Sequence, residues 1–137
     1  MTRVLALDHG RARCGVAVSD PTGTLATPLD PVLRPDTRKG LARLRELVNE
    51  TGVERVVVGL PVSLSGQDSD QTREARAFAE RLQRAIPVPV ELYDERFTTS
   101  LARRAGGSGS LDSRAAAVLL DEWLTRTRDL PIEGETE

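Results

Sequence analysis

Short apolar runs separated by turn residues divide this chain into elements. Val4-Leu5-Ala6-Leu7 is a continuous apolar run closed by Asp8-His9-Gly10, which reads as a buried strand. A second run, Cys14-Gly15-Val16-Ala17-Val18, follows Arg11-Ala12-Arg13 and stops at the turn signature Ser19-Asp20-Pro21. The two predict an antiparallel hairpin. Residues 25–33 carry Pro28 and Pro31, so any strand there belongs at a sheet edge, because proline cannot donate to a ladder. Asp36 or Thr37 can cap a helix whose Leu41, Leu44, Leu47 and Val48 recur at helical spacing, with Gly52 past its end.

Arg55-Val56-Val57-Val58-Gly59-Leu60-Pro61 is β-branched and apolar enough for a central strand. Residues 62–70 read as a polar loop. Residues 70–85 predict an amphipathic helix, with Ala75, Phe78, Ala79, Leu82 and Ile86 inward and Arg73, Glu74, Arg76, Glu80 and Arg84 outward. Residues 88–93 predict a strand that runs into Asp94-Glu95-Arg96. Thr98 or Thr99 can cap a short helix to Arg104, and Gly106-Gly107-Ser108-Gly109-Ser110 reads as a flexible loop. A last helix starts at Asp112 and carries Ala115, Ala116, Leu119, Leu120, Trp123 and Leu124. The order β-β-β-α-β-α-β-α-α predicts an α/β domain with a mixed sheet and helices on its faces. It spans residues 1–127, and 128–137 form an acidic tail.

At 137 residues the chain is long enough for one domain with a real core and too short for a two-domain nucleotide clamp. No apolar run reaches ~18 residues, so no membrane span is expected, and the N-terminus lacks the pattern of a signal peptide. One cysteine, Cys14, excludes an internal disulfide framework and fits a reducing cytoplasm. With one histidine, His9, a zinc cage from a single chain is also excluded. The net charge of −2 gives no global argument for nucleic acid, and the distribution says more. Without tail residues Glu133, Glu135 and Glu137, 19 basic residues face 18 acidic ones, and every basic residue except Lys39 is an arginine. Arginine presents a planar fork suited to phosphate, but genomic base composition alone produces the same bias and is the more economical explanation.

Candidate chemistry sits at element ends. In Asp8-x-Gly10-x-x-x-x-Gly15 a carboxylate closes a buried strand, which is costly unless the charge is paired or binds a cation. The glycines allow a tight hairpin and close approach by a large anionic ligand. Gly59 ends the central strand without a side chain. Asp94-Glu95-Arg96-Phe97-Thr98-Thr99 follows a strand, on the side where sites of open α/β sheets gather. Asp112-Ser113-Arg114-Ala115-Ala116 puts an acid at a helix start, where it can equally be a simple cap. Asp8, Glu95 and Asp112 can converge on one edge of the sheet. Carboxylate oxygens without histidine or cysteine make a hard site, suited to Mg²⁺ or Mn²⁺ and to phosphoryl chemistry. Arg11, Arg13, Arg96, Arg103, Arg104 and Arg114 flank these acids, as a phosphodiester backbone requires.

These segments, taken in order from Leu7-Asp8-His9-Gly10 and Arg13 through Asp20, by Val58-Gly59-Leu60-Pro61, to Asp94 through Thr99 and Asp112 through Ala116, resemble the YqgF/RuvX family over about residues 3–125. The resemblance implies an RNase H-like fold, with a five-stranded mixed sheet built from a three-strand N-terminal meander and then parallel strands. It also implies kinship with RuvC junction resolvases, a cytoplasmic setting, and metal binding by Asp8, Glu95 and Asp112. The implied substrates are four-way DNA junctions or precursor rRNA at the 5′ end of 16S rRNA. The chain departs from the pattern at Arg11, where a small hydroxyl residue is common, and at Cys14, where an aliphatic residue is usual. It departs again at the short Gly/Ser loop before Asp112, and at Ala115, where RuvC-type sites carry a further acid.

The leading expectation is a metal-dependent endonuclease that cuts phosphodiesters of structured nucleic acid. Junction resolution would need a homodimer, weak or completed by substrate, since the 3% aromatic content offers few interface anchors. One alternative is a non-catalytic nucleic-acid-binding module of the same fold. Another is an actin-like nucleotide-binding domain, whose phosphate hairpin resembles the Asp8–Gly10 segment but which needs two such domains.

Overall fold

The computed structural model describes residues 3–61, 69–94 and 111–129, with the side chains of all but 111, 112, 128 and 129. Strands β1 (Val4–Asp8), β2 (Arg13–Ser19) and β3 (Ala26–Leu33) form an antiparallel meander. Helix α1 (Arg38–Thr51), β4 (Arg55–Leu60), α2 (Asp70–Ala85), β5 (Val90–Asp94) and α3 (Leu111–Asp129) follow. The sheet order is β3-β2-β1-β4-β5, and β4 and β5 run parallel to β1. The expected mixed five-stranded sheet, with its antiparallel meander and parallel half, is therefore present. The short helix expected at 98–104 and the loop at 106–110 lie outside the described residues. Helix α3 continues to Asp129, beyond the expected start of the acidic tail.

Period-2 alternation sorts the apolar strand residues into two cores. Leu5, Leu7, Val16, Val18, Val56 and Val58 face α1 and α2, packing on Leu44, Leu47, Val48, Phe78, Ala79 and Leu82. Val4, Ala6, Ala17 and Val57 face the other way, against Ala116, Leu119, Leu120, Trp123 and Leu124 of α3. Small residues at Ala6 and Ala17 let α3 lie close to the sheet. Because β1 is covered on both faces, its sequence is an unbroken apolar run rather than an alternating one.

Caps fix where the helices begin. Thr37 accepts from the Gly40 N–H to start α1, and Gly52, at φ 67°, closes it in the left-handed conformation. Ser69 caps α2 through the Thr72 N–H, while the Thr72 hydroxyl bonds the Pro61 carbonyl just past β4. The start of α2 is thereby tied to the end of the strand before it. Strand β3 is an edge, as Pro28 and Pro31 require. A register shift on this strand falls opposite Cys14 and Val16. At the far end of the meander, Asp20 accepts from the Thr24 and Leu25 N–H groups and the Thr22 hydroxyl. These donors hold its carboxyl well below the usual carboxylate range.

Candidate active site at the strand ends

Because β1, β4 and β5 are parallel, their carboxyl ends share one edge of the sheet. Asp8, half-buried, is the last residue of β1 and sits opposite Gly15 of β2. Asp94 is the last residue of β5, opposite Leu60 of β4. The start of α3 reaches the same region, where the buried Ser113 hydroxyl accepts from the Val16 N–H at 3.3 Å. Val16 pairs with Leu7, one register step from the Asp8–Gly15 pair. The backbone of Asp112 therefore begins α3 beside the end of β1. The side chain of Asp112, and Glu95 with Arg96, Arg103 and Arg104, lie outside the described residues. Among the described residues no three His, Cys, Asp or Glu side chains form a metal-sized group.

The hairpin after Asp8 is held from several sides. A Cβ at Gly10 would lie 2.6 Å from the Arg13 carbonyl oxygen, so the turn closes only on glycine. The Arg34 N–H donates to the Ala12 carbonyl at 2.9 Å and carries the β2–β3 pairing beyond the strands. His9 turns inward. Its side chain is 4% exposed, its Nε2 donates to Asp36 Oδ2 at 2.8 Å, and its ring lies 4.6 Å from that of Phe78, tilted by 30°. The only histidine is thus engaged as a prop of the hairpin, not as a base beside a serine. Asp36 in turn receives Arg81 Nη1 on its backbone carbonyl at 3.1 Å, with Oδ1 4.0 Å from the same nitrogen.

Of the expected phosphate-binding arginines, Arg11 is exposed and ion-paired with Glu74 of α2, whose hydrogen bond and charge raise the guanidinium further above its ordinary range. Arg13 is exposed at the start of β2, two residues before Gly15. Arg114 is half-buried in the first turn of α3. Burial also holds the Tyr93 phenol, beside Asp94, above its usual range. The sequence offers Asp36 only as a candidate cap, Glu74 and Phe78 only as outward and inward helix residues, and Ser113 only as the residue after Asp112; it gives none of the four a role at this edge.

The donor chemistry at this edge suits a hard cation. His9 is committed to Asp36 and Phe78, and buried Cys14 directs its thiol to the Gly15 carbonyl at 3.6 Å. Asp8 supplies carboxylate oxygens at the end of β1, the donor type that hard cations prefer.

A profile of the RuvX family, described as Holliday junction resolvase, matches residues 2–126. A Mycobacteroides abscessus protein named as a candidate pre-16S rRNA nuclease is 42% identical, over 98% of this chain and 87% of its own length. A protein of the same name from Anaeromyxobacter sp. is 46% identical over 89% of this chain and 96% of its own. In shape the chain is similar to RuvC of T. thermophilus in complex with a Holliday junction substrate. That match has a TM-score of 0.58 and 15% identity, and it covers 94% of this chain and 98% of that one.

Proposed function

Since the chain belongs to the RuvX family, we propose that it is a divalent-metal-dependent endonuclease acting on structured nucleic acid, with precursor 16S rRNA as its substrate. The observation that carries this reading is the half-buried Asp8 at the carboxyl end of a central strand, on the edge where β5 also ends and α3 begins. Asp8, Glu95 and Asp112 would hold Mg²⁺ or Mn²⁺. Bound there, divalent metal would supply Lewis-acid chemistry, activation of a water and charge stabilisation at the leaving oxygen. The pinned hairpin keeps the Asp8 carboxylate in place, so little reorganisation is needed when charge builds on the phosphate. Arg11, Arg13, Arg96, Arg103, Arg104 and Arg114 hold neighbouring phosphates. Arg11 makes an exposed ion pair with Glu74, which water already weakens and a phosphate can displace. Among the described residues no helix is long and apolar enough to cross a membrane. A nucleic-acid substrate and a single cysteine in the sequence fit a cytoplasmic setting.

A second reading, resolution of four-way DNA junctions, is favoured by the family's description and needs two symmetric nicks. One chain supplies one set of Asp8, Glu95 and Asp112, so this reading requires a homodimer, weak or completed by substrate. The two are separated by cleavage tests on a precursor-rRNA leader and a supercoiled cruciform plasmid. Single-site cutting of the leader, with only independent nicks in the plasmid, is the expected result. Paired, near-simultaneous plasmid nicks would assign the chain to junctions, and an uncut pair of substrates would overturn both readings.

A further inference from the structure

On the β3 side of the acid edge lies an open cleft of about 410 Å³, lined by Arg11, Ala12, Arg34, Asp36 and Thr37. Arg34 is the residue least expected there on local grounds. Its φ of 46° is the one positive value at a non-glycine position among the described residues, a conformation glycine or asparagine would adopt more easily. Pro35 restricts it further. The loop also rests directly on α1, since a Cβ at Gly40 would lie 2.2 Å from the Arg34 carbonyl oxygen. The guanidinium that this backbone presents is exposed, and it has no ion pair or hydrogen bond among the described residues.

Arg38 and Lys39 repeat the pattern in the first turn of α1. That turn contains no acid, and cations there oppose the helix dipole. Both side chains are exposed and lack a carboxylate partner among the described residues. Elsewhere Arg43, Arg55, Arg73, Arg81 and Arg126 each lie beside a carboxylate. Asp36, the acid on the cleft wall, is taken up by His9 and Arg81. The Thr37 hydroxyl is also used, donating to the Arg34 carbonyl and accepting from the Gly40 N–H. Arg45 and Arg84 are also exposed without a carboxylate partner among the described residues, but singly; Arg34, Arg38 and Lys39 put three such cations within six residues, at the expense of local backbone and helix preference.

We infer that this β3–α1 junction is a second phosphate-binding surface, where Arg34, with Arg38 and Lys39 beside it, grips the nucleic-acid backbone as it leaves the acid edge. The inference rests on the endonuclease reading above and extends it beyond the arginines flanking the acids. Strand β3 lies two strand spacings from β1, about 10 Å. That is about three nucleotides of duplex rise at 3.4 Å each.

The test is binding of a four-way DNA junction and of a precursor-rRNA leader in EDTA, by fluorescence anisotropy across a salt series. Arg34→Gln should weaken binding on the order of tenfold at low salt. It should also reduce the slope of log K against log salt by about 0.9 on duplex or 0.7 on single strands. Arg34→Lys should restore the slope, because charge sets it, and only part of the affinity. Arg45→Gln removes an equal charge further along α1 and should change neither quantity. If Arg34→Gln binds with wild-type affinity and slope, the second surface is overturned and the endonuclease reading stands. A wild-type chain without salt-dependent binding to either nucleic acid overturns both.

Discussion

Asp8→Asn should abolish cleavage, by on the order of a thousandfold or more, without loosening the fold. The carboxylate closes a strand whose other residues, Val4 through Leu7, are almost wholly buried. It shares the edge with the end of β5 at Asp94. Asparagine keeps the shape and removes the charge that a cation needs. If Glu95 and Asp112 join Asp8 as proposed, the three acids repel one another without metal, and neutralising Asp8 relieves that repulsion. Thermal melting of the variant should therefore match wild type or rise slightly. Full activity of Asp8→Asn under saturating Mn²⁺ would remove Asp8 from the chemistry. A large fall in melting temperature would instead make it a structural residue.

The largest stability effect should come from Phe78→Ala. Phe78 is fully buried, in the core between α1, α2 and the sheet, and its ring also supports His9. Removing it leaves a cavity under the hairpin and should cost about 3–5 kcal/mol. That is a large part of a typical domain's stability and lowers the melting temperature on the order of 10–20 °C. Urea unfolding gives the energy directly, and a loss below about 1 kcal/mol would contradict this packing. Because Phe78 and Asp8 are linked through His9, activity should fall in the same variant even at temperatures where it stays folded.

Much of the fold was legible because its signals are local. Val4 to Leu7 and Val56 to Val58 are apolar runs on a strand period, Pro28 and Pro31 confine β3 to an edge, and the inward set of α2 follows helical spacing. All are as expected in the structure. Asp8 was legible for a related reason, since a charge at the end of such a run needs a cause. The supports of the site were not legible. His9 meets Asp36 across 27 positions and Arg11 meets Glu74 across 63, and neither pairing leaves a periodic or spacing signal in the chain. Arg34 was hidden differently. Nothing in Leu33-Arg34-Pro35 announces a positive φ, which becomes visible only when α1 packs Gly40 against that loop. Phe78 was correctly placed inward, but its contact with the lone histidine depended on how α2 crosses the hairpin.

Phosphodiester hydrolysis at the Asp8 edge requires a divalent cation held there. Calorimetric titration of the wild-type chain and Asp8→Asn with Mn²⁺, without nucleic acid, reads that binding itself. Saturable Mn²⁺ binding by the wild type that is lost or strongly weakened in Asp8→Asn is the predicted result. No binding by the wild type, or equal binding by both proteins, would contradict it.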